Sequence, residues 1–308
     1  MRRRLDGILV LDKPAGITSN AALQRAKRLF GAAKAGHAGT LDPLASGVLP
    51  VLFGEATKFS SFLLEADKEY VADVRLGVRT TTGDAEGEVI SRSPVEIDAT
   101  AVASVLERFR GEIDQVPPMH SALKYGGKPL YELAREGITV PRAPRRIAIR
   151  ELELLERSGE QLRIRVACSK GTYVRVLAED LGAALGPGAH LTALRRTVAG
   201  RFRIAQAVAL ETLERMQDAA RERLLLPLET LLEALPPLHL DEGTAGAFLN
   251  GRIVARQDGP EGRRRVYVGA SELLGVGEVG PGGDLRPLRL LARSPGGAQA
   301  AEIATKTL

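Results

Sequence analysis

One carboxylate on a stiff loop, with a cation held behind it, is enough to supply a nucleophile or a base, and this chain carries candidates for both. Asp42 lies in Gly36-His37-Ala38-Gly39-Thr40-Leu41-Asp42-Pro43-Leu44-Ala45-Ser46-Gly47-Val48-Leu49-Pro50. Its place before a proline pushes its backbone into the extended region, while Gly36, Gly39 and Gly47 permit close chain approach on either side. Such a segment can present a single carboxylate rigidly, although Asp-Pro among glycines is also an ordinary turn. In a water-poor site desolvation favours the neutral acid, so a working carboxylate needs a cation beside it. Arg175 fits, at about the third position of a helix opened by Thr172. An arginine in a first turn runs against the helix dipole and makes sense with an acid in front of it. Tyr70 and Tyr173 are either core residues with satisfied hydroxyls or platforms for a planar ligand. His37 suits a loop hydrogen bond and a ligand contact equally. The segment Gly77–Gly87, with Thr80, Thr82 and Asp84, lacks the bidentate Glu of an EF-hand and is not read as a calcium loop.

The elements that must position these residues follow from pattern. Residues 6–11 read as a short buried strand stopped by Asp12-Lys13-Pro14-Ala15-Gly16. Ser19 is placed as the cap of a helix over 20–30, with Leu23, Ala26 and Phe30 on one face and Gly31 ending it. Residues 35–50, Gly- and Pro-rich without period, read as loop, and 54–66 as helix. Strict alternation of Tyr70, Ala72, Val74, Leu76 and Val78 marks a strand, followed by a loop over 77–88 and a helix over 99–109. Residues 117–146 read as irregular apart from a short helix near 129–136. Leu162, Ile164, Val166 and Cys168 alternate with Arg163, Arg165 and Ala167 as a second half-buried strand. The helix after Thr172 turns Val174, Leu177, Leu181 and Leu185 inward, and another spans 210–224. Composition changes at Leu235-Pro236-Pro237; beyond it lie strands near 264–270, 273–279 and 285–292, then a Gly/Ala-rich tail from Ser294. Strands separated by helices and long loops predict an α+β larger part, with a small β-rich module after it.

The 308 residues, 44% hydrophobic and 26% charged, are those of a globular chain rather than a disordered or coiled-coil one. A single Cys168 excludes an intramolecular disulfide framework and a Cys-rich zinc site. His37, His120, His190 and His239 are too scattered for a local metal motif. The arginines at 2–4 precede an apolar run too short for a signal peptide, and no stretch approaches a membrane span, so a cytoplasmic soluble protein is expected. The net charge of +5 hides an uneven spread: basic against acidic residues are 9 to 4 over 1–60, 6 to 12 over 61–118 and 7 to 2 over 119–150. Arg25, Lys27 and Arg28, then Arg142, Arg145, Arg146 and Arg150, suit a polyanion such as nucleic acid as well as they suit ordinary solvated faces. Aromatics at 4% argue against a surface built mainly on base stacking.

Five segments, in order, carry a resemblance: Leu11-Asp12-Lys13-Pro14-Ala15-Gly16; Gly36 to Gly47; Gly77, Thr80, Thr82, Asp84 and Gly87 at their spacing; Ser121-Ala122-Leu123-Lys124; and Cys168-Ser169-Lys170-Gly171-Thr172-Tyr173-Val174-Arg175. Together they resemble the TruB family of bacterial tRNA pseudouridine synthases, and the C-terminal module is similar to a PUA-type RNA-binding domain. The resemblance extends to about residue 292. It implies an α+β, mixed-sheet catalytic domain over 1–235 with an RNA-clasping insertion at 119–150, a PUA-like domain over 236–293 and a flexible tail over 294–308. Pro141 and Pro144 keep the insertion from regular structure. The implied reaction is isomerisation of uridine 55 in the TΨC loop of tRNA to pseudouridine, on a base flipped out of its loop. The resemblance further implies that no cofactor or metal is used, that the TΨC stem-loop is the partner, and that the chain works as a monomer with no obligate protein partner. Residue by residue, Asp42 matches the catalytic aspartate, Arg175 its ion-pair partner, and Tyr70 the tyrosine that stacks on the base and assists proton transfer. Leu194 matches an apolar wall of the base pocket and His37 a contact to the rearranged RNA loop. Tyr173 is counted with the substrate contacts, as is Lys13, whose motif with Pro14 supports the site. Whether Asp42 attacks C6, attacks C1′ or acts as a base toward C2′ stays open, as does an RNA-binding or RNA-folding protein of the same fold without catalysis. A subunit that depends on a guide RNA is a third possibility. Position 120, commonly tyrosine in the family, is His120 here, and Ala38 replaces a common threonine.

Overall fold

The computed structural model describes residues 2–255 and 260–292; the tail expected over 294–308 lies outside them. In chain order β1 (Gly7–Lys13), α1 (Ser19–Leu29), β2 (Ala35–His37), β3 (Ala45–Phe53), α2 (Ser60–Leu64) and β4 (Lys68–Leu76) come first. A small hairpin, β5 (Val78–Thr80) with β6 (Val89–Arg92), precedes α3 (Ala99–Arg108) and β7 (Gly111–Gln115). Residues 119–150 hold a second hairpin, β8 (Lys124–Tyr125) with β9 (Lys128–Pro129), and α4 (Leu130–Arg135). Then follow β10 (Arg145–Ser158), β11 (Gln161–Cys168), α5 (Val174–Leu185), β12 (Ala189–Ala199), β13 (Phe202–Arg203), β14 (Val208–Ala209), α6 (Leu210–Arg215) and α7 (Asp218–Glu222).

One mixed sheet runs through the larger part in the order β14-β1-β3-β12-β4-β11-β10-β7, with β2 and β13 paired at its side. On β4 and β11 the alternation expected from sequence is present. Ala72, Val74, Leu76, Leu162, Ile164, Val166 and Cys168 are buried with α3 and α5 over them, which is the hydrophobic drive for this half. The opposite face carries cross-strand ion pairs, Arg163 to Asp73 at 2.7 Å and Arg165 to Glu69 at 3.2 Å. In β1 and β3 both faces are buried. One packs under α1 and α6; the other meets Phe59, Leu63 and the C-terminal residues Leu273 and Val276.

The C-terminal unit is a four-stranded sheet, β15 (Pro237–Leu240), β16 (Gly262–Val268), β17 (Glu272–Val279) and β18 (Leu285–Leu290), with α8 (Glu242–Leu249) on its own core. It is joined to the larger part by the shared apolar cluster and by two hydrogen bonds, Lys58 Nζ to the Leu290 carbonyl (2.9 Å) and the Ala292 amide to Glu55 Oε2 (2.7 Å).

Several expectations need correction. Residues 35–50 are mostly strand, because β3 is buried on both faces and so shows no period. The stretch 54–66 is a 3₁₀ turn, Gly54–Phe59, running into the five-residue α2. The helix expected over 210–224 breaks into α6 and α7, since Met216 and Gln217 are extended. Thr18, not Ser19, caps α1, accepting from the Ala21 amide at 3.1 Å. Thr172 does not cap α5 either: Tyr173 holds that position without a side-chain bond, and Thr172 Oγ1 donates to the Ser169 carbonyl. Pattern reading also missed β7, β10, β12, β15 and α8.

Candidate active site

The loop between β2 and β3 carries Asp42, and three buried side chains hold that loop. Ser19, at the first position of α1 and 1% exposed, donates to the Leu41 carbonyl at 2.9 Å and accepts from the Leu41 amide at 2.8 Å. Lys13, at the end of β1 and fully covered, donates to the carbonyls of Pro14 (2.9 Å), Ile17 (2.6 Å) and Pro43 (3.5 Å). Burial lowers its ammonium to about 8, with nearby Asp42 opposing the drop. Arg196, on β12, donates from Nε to the Val48 carbonyl at 2.7 Å and from Nη2 to the Gly39 carbonyl at 2.8 Å, spanning the loop's two ends. Gly47 is required here: its φ is +102°, and a Cβ would stand 2.2 Å from the Arg196 carbonyl oxygen.

Arg175 reaches Asp42 from the first turn of α5. Its Nε lies 2.9 Å from Asp42 Oδ2; the arginine side chain is 5% exposed and the carboxylate 41%. The same nitrogen is 3.5 Å from Oδ2 of buried Asp84, while Nη1 donates to the Thr82 carbonyl (3.1 Å) and Nη2 to the His120 carbonyl (2.7 Å). Asp84 Oδ1 in turn accepts from Thr82 Oγ1 (2.6 Å) and the Glu86 amide (3.0 Å). A buried guanidinium is tolerated when paired and hydrogen-bonded, and here each of the three nitrogens has a partner. Gln115, at the end of β7, fixes the entry to α5: its amide accepts from the Tyr173 N–H (2.8 Å) and donates to the Tyr173 carbonyl (3.2 Å). The cation is therefore locked behind, and the carboxylate, with Oδ2 engaged and Oδ1 open, faces out.

In front of Asp42 is a pocket of about 320 Å³ whose walls include Leu41, Tyr70, Tyr173, Leu194, His120 and Ser121. Its charged lining is Asp42 against Lys68, Arg175 and Arg196, a surplus of two cations that suits an anionic ligand. Register puts Leu194 beside Ala72 and Ala45, and Arg196 beside Tyr70 and Gly47, because β12 lies between β3 and β4. Burial pushes the Tyr70 phenol up; the neighbouring guanidinium of Arg196 pulls the other way. Tyr173 is likewise raised by burial.

Of the residues singled out from sequence, Asp42, Arg175, Tyr70, Leu194 and Tyr173 meet at this pocket. Lys13 lies beneath the loop, with its ammonium turned onto carbonyls rather than lining the pocket. His37 is on β2 opposite Val51, away from the lining; its Nδ1 is buried without a hydrogen-bond partner, and burial with Arg196 lowers its pKa. Sequence reasoning missed Asp84, Ser19's bond to Leu41, Gln115 and Arg196. Only Asp84 left a signal, through its Thr-x-Thr-x-Asp spacing. Among the described residues, no cluster of three or more His, Cys, Asp and Glu could hold a metal ion, and no helix is long and apolar enough to cross a membrane.

Comparison with known proteins agrees over nearly the whole chain. The family models matched are the TruB family pseudouridylate synthase N-terminal domain over 27–174, the tRNA pseudouridylate synthase B C-terminal domain over 175–233, and the pseudouridine synthase II TruB C-terminal region over 236–291. The tRNA pseudouridine synthase B of Azoarcus sp. (strain BH72) is 55% identical over 295 residues, covering 96% of this chain and 98% of that one. The protein of the same name from Chromobacterium violaceum is 55% identical over 294 residues, covering 94% and 96%. Among solved structures, an H/ACA RNP bound to a substrate RNA containing 2′-deoxyuridine aligns with a TM-score of 0.69 at 25% identity, over 93% of this chain and 85% of that one. A Cbf5-Nop10-Gar1 complex aligns at 0.68 and 27%, over 94% and 84%. With its carboxylate–guanidinium pair set in a pocket between the β2–β3 loop, β4, β12 and α5, the chain belongs to the TruB family of pseudouridylate synthases.

Proposed function

We propose that this chain isomerises uridine 55 of the TΨC loop of tRNA to pseudouridine, acting as a single chain in the cytoplasm, with Asp42 as the catalytic carboxylate. The observation that carries the reading is the half-open Asp42 carboxylate backed at 2.9 Å by a buried arginine, at the mouth of a pocket roofed by Tyr70 and Leu194. A cavity of about 320 Å³ is at the small end for ligand sites and suits one extruded base rather than a helix.

The reaction breaks the N1–C1′ bond, joins C5 to C1′, and moves one hydrogen from C5 to N1, so it is an isomerisation with no external reactant. A flipped uracil lies between Tyr70 and Leu194, while Asp42 Oδ1 acts on the nucleoside and Arg175 holds the carboxylate oriented and balanced in charge. Since Oδ2 is fixed by Arg175, attack at C6, attack at C1′ and abstraction at C2′ all start from Oδ1. Lys68, on the pocket wall, faces a phosphate flanking the flipped nucleotide, while buried Arg196 stays on the loop carbonyls. We assign residues 1–235 as the catalytic unit, 119–150 as the segment that clasps the RNA, and 236–293 as a PUA-like unit that extends the contact.

The test is to incubate the purified chain with unmodified tRNA transcript and map pseudouridines by carbodiimide labelling and primer extension. A single modified site at 55 is expected. Binding without modification would leave an RNA-binding or RNA-folding protein, and modification only in the presence of a guide RNA would remove the single-chain assignment.

A further inference from the structure

We propose that Arg196 is the positioning residue that lets the Tyr70 oxygen take the proton from C5 of the uracil. The proposal rests on the reading of the pocket as a uridine site.

Three observations carry it. First, the strand register places Arg196 directly opposite Tyr70 across the antiparallel β12–β4 pair, and beside Gly47 of β3 on its other flank. Directly opposed residues of a sheet are the closest side-chain neighbours it offers. Second, the guanidinium cannot swing away. The residue is 1% exposed and clamped to the Val48 and Gly39 carbonyls at 2.7 and 2.8 Å, and a Cβ on Gly39 would lie 3.2 Å from Nη1. Third, the cation has no counter-charge: its hydrogen-bond partners are carbonyls, and among the described residues no carboxylate forms an ion pair with it.

Chemistry then fixes the direction of the bond. An arginine only donates, so a phenol oxygen beside it serves as acceptor and turns its own hydrogen elsewhere. A desolvated guanidinium without an anion is a costly arrangement, and a phenolate beside it removes that cost. Burial and Asp42 resist ionisation of the phenol, buried Cys168 lies nearby, and the cations Lys68 and Arg175 line the same pocket. Cys168 is itself pushed up to about 11 by burial and stays a thiol. Arg196, directly opposite Tyr70 in the strand register, favours the charged form of the phenol.

The step balances as follows. Tyr70 releases its phenolic proton to solvent in the pocket. Once C5 is joined to C1′, the phenolate takes the hydrogen on C5, the C5–H pair becomes the C5–C6 double bond, the π pair of the C6–N1 double bond passes to N1, and N1 takes up a proton from the solvent that received the phenolic one. The phenol is regenerated.

The test uses the full-length protein and tRNA carrying either hydrogen or deuterium at C5 of uridine 55, in single-turnover reactions. Replacing the guanidinium in Arg196→Gln is expected to slow product formation by about 10²-fold, the lower end of what proton-transfer catalysis contributes. The hydrogen/deuterium rate ratio should rise above the wild-type ratio as the C5 step becomes limiting. Arg196→Lys, which keeps the charge, should recover part of the rate and lower the ratio again. Slowing with an unchanged isotope ratio, or a Lys variant no better than Gln, would overturn the proposal by showing a purely structural role. Should the Gln variant fail to fold, the isotope ratio of the Lys variant decides: a ratio above wild type supports the proposal and an unchanged one overturns it. A wild-type protein that makes no pseudouridine at all would instead remove the functional reading on which the proposal rests.

Discussion

Removing a single oxygen from Ser19 is a severe test of how the Asp42 loop is held. The Ser19 hydroxyl is buried and serves both polar groups of Leu41, donating to the carbonyl at 2.9 Å and accepting from the amide at 2.8 Å. In Ser19→Ala both groups stay buried and lose their partner. Each unsatisfied group costs about 1–3 kcal/mol, so with some relaxation of the loop the total comes to about 2–4 kcal/mol. The space vacated by one oxygen is smaller than a water needs, so solvent does not restore the pair. Against a typical stability of about 5–15 kcal/mol this is a large fraction. Urea denaturation followed by circular dichroism should show the midpoint falling while the slope m is unchanged. Because Leu41 adjoins Asp42, kcat should drop about tenfold or more while tRNA binding is kept, as expected when a reacting group loses its alignment. A stability loss below about 0.5 kcal/mol together with unchanged kcat would refute the view that Ser19 sets the loop.

Other perturbations probe neighbouring parts of the same machinery. Gly47→Ala forces a Cβ to 2.2 Å from the Arg196 carbonyl at a φ of +102° and should cost more than about 4 kcal/mol, read as loss of soluble folded protein or a collapsed melting temperature. Arg175→Lys keeps a charge but cannot serve Asp42, Asp84, Thr82 and His120 together. Its kcat/KM should fall about 10²-fold, equivalent to about 2.7 kcal/mol. Lys13 gives a pH signature. Its folded pKa is depressed to about 8 from 10.5, so between those values the unfolded chain binds more protons and stability rises with pH. Wild type should therefore gain up to about 1.4 kcal/mol per pH unit relative to Lys13→Met across that window. A flat difference in denaturation free energy there would contradict it.

How much of this was readable in advance depended on whether one face of an element met water. On β4 and β11 the core residues alternate with Asp73, Arg163 and Arg165, whose ion pairs form the outer face, so a period of two is written into the sequence. β3 has no such face, and its Gly47 and Pro50 look like loop chemistry. Gly47 is there because Arg196 passes against its backbone, a constraint set by a residue 149 positions away in sequence. The Asp42–Arg175 pair could be anticipated because a carboxylate before proline and an arginine in a first turn are each odd alone and make sense together. Asp84 was visible only as a short polar spacing, since its purpose, to be a second anion for Arg175, exists only once β5, its loop and α5 are assembled. Ser19 and Thr18 are both good cap residues, and local sequence does not tell which one caps and which turns inward to Leu41. Lys13 is placed at the site by the resemblance alone; in local pattern it only belongs to a segment that stops a strand, and its burial under the loop exists only in the fold.

The central claim is that an ionised Asp42, held by Arg175, performs chemistry on a flipped uridine. Asp42→Asn keeps the size and position of the side chain and removes its charge. With the purified variant and tRNA transcript, pseudouridine at position 55 should be undetectable while tRNA still binds with affinity close to wild type. Pseudouridine formed by Asp42→Asn at a rate near that of the wild type would contradict the account.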